Sequence, residues 1–145
     1  MKFRLLGLAL LFSVVTGATT RAPDVHIVVV VNSANPVNAM KRERLAKIFL
    51  RQIGVWDNGQ EILPVDQIDR SPARASFARN IEGMSVNALR RYWQERIFTG
   101  NESPPPERVT DADVLTYVRT NAGAIGYVAE GAELGSGVKG ISVTE

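Results

Sequence analysis

An α/β layered domain, with a mainly parallel central sheet flanked by helices, is the fold class this sequence predicts. Three observations predict it. Val25 to Val31 is a short, unbroken, largely β-branched run of the kind found in a strand covered on both faces. Further strand-like runs alternate with amphipathic helical patterns, the signature of helices layered on a sheet. Capping side chains mark helix starts at Ser71, Ser85 and Thr110. Neither an internal repeat nor an internal domain boundary is visible, so residues 19–145 read as one domain.

The elements follow in order. Asn32 to Asn38, rich in turn formers, leaves the first strand as a loop. Leu45, Ile48 and Phe49 recur at helical spacing among Lys41, Arg42, Arg44 and Lys47, which gives an amphipathic helix with a basic, solvated face. Asn58-Gly59 marks a turn before the strand-like Ile62 to Val65. Ser71 and Pro72 then open a helix expected to run to about Ile81, because proline at the first helical position has its φ pre-set and needs no N–H there. Ser85 caps a helix carrying Leu89, Tyr92, Trp93 and Ile97. Thr99 to Glu107, with three prolines in succession, is a loop or polyproline segment. Thr110 caps the helix Asp111 to Thr120, whose Asp111 and Asp113 suit its positive end. Gly123 follows it, then the strands Ile125 to Val128 and Val138 to Val143. The first strand is expected at the centre, covered by Leu45, Ile48, Phe49, Phe77, Leu89 and Trp93.

The first eighteen residues set the compartment. Lys2 and Arg4 precede the apolar run Leu5 to Val15, and the small residues Gly17 and Ala18 follow, which is the layout of a cleaved secretory signal peptide over residues 1–18. The apolar run is about eleven residues, against the ~20 a membrane-spanning helix needs. The expected product is a periplasmic protein with no membrane span after signal removal. The chain has no cysteine, so it has no disulfide framework, thiol chemistry or lipidated cysteine.

Removing the leader takes two of the 17 Lys and Arg, leaving 15 against 15 Asp and Glu. That balance argues against nucleic acid as a partner, since binding phosphate backbones takes a cationic surplus. With His26 as the single histidine, a zinc site has a poor donor set. The phosphate loop, nucleophile elbow and zinc-protease motifs are absent, so neither an enzyme nor a cofactor is expected. The one stretch with a binding mechanism is the start of the Pro72 helix. A helix N-terminus presents unpaired N–H groups and a positive dipole end, Ser71 adds a hydroxyl, and Arg70 and Arg74 add charge. The same residues also describe an ordinary capped helix start with two solvated arginines.

Val29 to Asn38, Leu45 to Leu50, Trp56, the Ser71-x-x-Arg74-x-x-Phe77 helix start and Gly123 to Val128 together resemble, in order and spacing, the periplasmic phosphate-binding proteins that serve ABC transporters. The resemblance spans nearly all of residues 19–145 but only one of the two lobes usual in that family. It implies a single periplasmic-binding-protein-type lobe, with phosphate or a similar small anion held at Asp69, Arg70, Ser71 and the backbone N–H groups of Ala73 and Arg74. Asp69 would accept from a protonated phosphate oxygen and Ser71 would donate. Gln67 stands where the family's loop has arginine, Pro72 removes a backbone donor, and Ala73 replaces a threonine. Each lost hydrogen bond to a charged group is worth roughly 1.5–3 kcal/mol, so the implied binding is weak. The partners implied are an ABC permease, another envelope protein, or a second copy that completes the cleft. The alternative is a periplasmic protein–protein interaction domain that has lost its solute.

Overall fold

The computed structural model describes residue 17, residues 23–100 and residues 102–145. The signal peptide and its cleavage point fall outside the described residues, residue 17 aside. Among the described residues no helix is long and apolar enough to cross a membrane.

β1 (Ile27–Asn32) is the middle strand of a five-stranded sheet whose order is β2 (Ala39–Lys41), β7 (Val138–Thr144), β1, β6 (Ala124–Ala129) and β3 (Leu63–Pro64). Successive side chains of a strand point to opposite faces, and here both faces are covered. Val29 and Val31 pack with Leu45, Ile48 and Phe49 of α1 (Arg42–Phe49) and Phe77 of α2 (Pro72–Phe77). Val30 packs on the other face with Val114, Leu115 and Val118 of α4 (Asp111–Thr120). The central position expected of this run, and its double cover, are as the residues predict.

Strand direction is not. Both neighbours of β1 run antiparallel to it, Val29 lying opposite Tyr127 on one side and Ile141 on the other, while only the short outer pairs β2–β7 and β3–β6 are parallel. The sheet is therefore mixed rather than mainly parallel. A doubly covered strand is apolar whichever way its neighbours run, so its composition carries no record of direction.

Three further differences bear on the site. The Pro72 helix is regular only to Phe77 and continues as a π turn over Ala78–Glu82, closed by Gly83 in the left-handed region at φ 69°. The proline-rich loop ends in a short strand, β5 (Glu107–Arg108), parallel to β4 (Asp66–Gln67) in a separate two-stranded ribbon. Leu89 and Trp93, expected over β1, do not reach it. They belong to α3 (Val86–Phe98), where Leu89 packs with Leu50 and Ala78 in a satellite cluster and Trp93 lines a cleft. Their helical spacing shows a buried face without showing what covers it. His26 precedes β1 and is exposed, its carbonyl accepting from Glu130 N–H at 2.8 Å.

Candidate functional site

The chain leaves β3, passes through β4 and turns into α2 at the mouth of an open cleft of about 180 Å³. Asp66, Asp69 and Arg74 line it from this strand-to-helix passage, Arg90, Trp93 and Ile97 from α3, and Pro104 and Glu107 from the opposite loop and β5.

Ser71 caps α2 as its sequence predicts. Its backbone is extended and its Oγ accepts from Arg74 N–H at 3.4 Å. The hydroxyl proton goes to Gln67 Oε1 at 2.6 Å, and the Gln67 amide donates to Asp111 Oδ1 at 2.8 Å and to the Tyr127 carbonyl at 3.0 Å. Gln67 thus ties the start of α2 to the start of α4 and to β6.

The two arginines flanking Ser71 part company. Arg70 is exposed. Arg74 turns inward, its side chain 5% exposed, with Nη1 at 2.8 Å from Glu82 Oε2 and 3.2 Å from Asp66 Oδ2. Asp66 also accepts from Gln67 N–H at 2.8 Å and, very closely, from the Tyr127 hydroxyl. That hydroxyl is held in place by its ring, which stacks on Phe77 with centroids 4.0 Å apart. The π turn explains the Arg74–Glu82 pair. At 3.6 residues per turn, position i+7 returns to within about 20° of the starting face whereas i+8 overshoots by about 80°. A widened turn absorbs one residue and brings Glu82 back beneath Arg74.

Burial raises the Glu82 carboxyl to about 7, with Arg74 pulling the other way and Asp66 adding to the rise. Asp66 is also raised, first by burial, against Arg74 and the Tyr127 hydroxyl. Arg74 is raised by its two carboxylates despite its own burial and stays charged. At the rim, Asp69 binds Arg90 through Nη2 at 2.5 Å and Nε at 3.2 Å. Glu107 is raised by its burial and by the Asp66 and Asp69 carboxylates, so the cleft wall is acidic on that side.

Of the five residues picked out in the sequence, only Asp69 and Arg74 line the cleft, Arg74 with its charge directed inward at the floor; Arg70 is exposed and Ser71 half-buried in the adjoining turn, outside the cleft lining, and Ala73 is buried in the first turn of α2. Asp66, Gln67, Glu82, Asp111 and Tyr127 are the residues that sequence reasoning missed. No local spacing links them, although Gln67 is recognisable as the departure from the family's arginine.

The fold defines a class: one α/β lobe like those of periplasmic-binding-protein-type receptors. More particularly, the fold is that of phosphate ABC transporter receptors. It matches an ABC-type phosphate transport receptor from Vibrio cholerae at a TM-score of 0.63 and 25% identity, over 81% of this chain and 45% of that one. A protein described as a phosphate ABC transporter substrate-binding protein, with bound phosphate, from Clostridium perfringens matches at 0.63 and 19%, over 81% and 44%. PstS from Borrelia burgdorferi matches at 0.63 and 16%, over 82% and 47%. The chain spans under half the length of these proteins, consistent with a single lobe. No protein-family model matches the sequence, and no curated protein matches it significantly.

Proposed function

We propose that this chain is a periplasmic binding module of the phosphate-receptor type, not an enzyme, that takes phosphate or a similar oxyanion weakly at the start of α2. The observation that carries the reading is the fold match to phosphate receptors over 81% of the chain, one of those receptors having been solved with phosphate bound. Asp69, Arg70 and Ser71 supply the contacts, with the N–H groups of Ala73 and Arg74, the anion displacing the bonds that Ser71 makes to Gln67 and to Arg74 N–H and that Asp69 makes to Arg90. Weakness follows from the site itself. Arg74 and Arg90 already face carboxylates, and an open cleft cannot withdraw an anion from water on every side. A partner protein, an ABC permease component or a second copy closes the cleft.

Backbone amide NMR during a phosphate titration tests this. Saturable shifts confined to residues 69–74 are expected, lost in Arg70→Ala with Ser71→Ala; an unresponsive spectrum refutes anion binding. One observation favours a second reading, in which the cleft face holds only a protein: its arginines are neutralised internally while Glu107 is left on an acidic wall. Crosslinking in envelope preparations from a photoreactive residue at Gln94, an exposed cleft-lining position of α3, would capture that partner with or without phosphate.

A further inference from the structure

The floor of the cleft holds more acid than base. The Asp66 and Glu82 side chains are 6% and 1% exposed, and both lie on the same nitrogen, Arg74 Nη1. Ionised together, they leave a buried cluster one negative charge in excess, and two carboxylates sharing one cation away from water do not both stay charged cheaply.

Their surroundings divide them. Asp66 receives Arg74, the Tyr127 hydroxyl and the Gln67 N–H, whereas Glu82 receives Arg74. Neutralising Glu82 therefore sacrifices fewer contacts. The charged groups of the neighbouring elements do not offset this. Asp69 in the loop before α2 and Glu107 on β5 add negative charge near Asp66. On α3, Arg90 is taken by Asp69, and within the π turn Arg79 pairs with Asp24. On α1, which packs against that turn, Lys47 pairs with Glu43, Arg44 with Asp57 and Arg42 with Glu145.

We propose that Asp66 and Glu82 hold one proton between them in mildly acidic solution, carried on Glu82 and released as the solution passes through neutrality, and that the cluster is a proton-operated latch fastening the π turn to β4 and β6 beneath the cleft. The latch does not depend on an anion being bound. The position of the Glu82 carboxyl, raised by burial from 4.5 to about 7, agrees with it. Between those values the folded chain binds a proton that the unfolded chain does not. The stability Glu82 contributes is thus complete below 4.5 and is lost as pH rises through about 7.

Urea unfolding of the purified chain from about pH 5 to about pH 8.5 tests the latch. In the wild type the unfolding equilibrium constant is expected to rise with pH by up to about tenfold per unit between about pH 5 and about pH 6.5, and to level off above about pH 8. Glu82→Gln, a neutral group of the same shape, flattens that rise, whereas His26→Gln, which removes the single histidine, keeps it. Equal slopes in wild type and Glu82→Gln overturn the proposal. Should Glu82→Gln fail to fold, the carboxyl carbon-13 resonance of Glu82 in the wild type decides. A midpoint near 7 upholds the latch, and one near 4.5 overturns it.

Discussion

Arg70 and Arg74 flank the same capping serine and do opposite things. Arg74 has two buried carboxylates on its guanidinium, so Arg74→Ala strands them and should cost roughly 3–5 kcal/mol in chemical denaturation. Arg70 is exposed, and Arg70→Ala should stay within about 0.5 kcal/mol of wild type while weakening any anion binding. Equal stability of the two variants would contradict the buried cluster. In the sequence both read as charges at a helix start, there for an anion or merely solvated, and what separates them lies eight residues away in each direction, at Asp66 and Glu82. No helical or strand period connects those positions. Ser71, by contrast, was legible, because capping depends on its immediate neighbours. Ser71→Ala should cost about 1 kcal/mol for the cap, with a further loss where Gln67 is left without its donor.

At the scale of elements, β1 is the backbone of the lobe. Val29 is 2% exposed, so Val29→Asp places an unpaired charge in the core at a cost of several kcal/mol, comparable with a whole domain's stability of about 5–15. Circular dichroism of that variant should show an unfolded chain; a native melt would mean the strand is peripheral. Gly126 of β6 shows how closely α4 lies on the sheet, since an added Cβ would sit 2.8 Å from Cγ1 of both Val114 and Val65. Gly126→Ala should therefore cost about 1–3 kcal/mol by overpacking. The helices and long strands were legible because their periods and caps are local. The antiparallel neighbours of β1, the β4–β5 ribbon and the π turn were not, because each is settled by pairing across the chain. Leu89 and Trp93 gave the same lesson: their period showed a covered face, and the fold alone showed that α3 turns it toward a satellite cluster and the cleft.

As a whole molecule, the chain is one lobe with the fold of receptors about twice its length. Its compartment rests on the residues before Thr19, and intact-mass analysis of periplasmic material should give a product beginning near Ala18 or Thr19; a mass that keeps Met1 to Leu11 would contradict export with cleavage. An open cleft with arginines already matched by acids sets the expected affinity. Where a two-sided site can gather many charge-assisted hydrogen bonds, this one offers few and leaves the anion in contact with water. The most direct measurement is calorimetric titration of the purified chain with phosphate at physiological salt. The account predicts saturable binding in the range of about 1 mM or weaker, near −4 kcal/mol, lost in the Arg70→Ala, Ser71→Ala double variant. No saturable binding up to tens of millimolar would contradict the solute-binding reading, and a dissociation constant near or below about 1 μM would contradict a site left open to water.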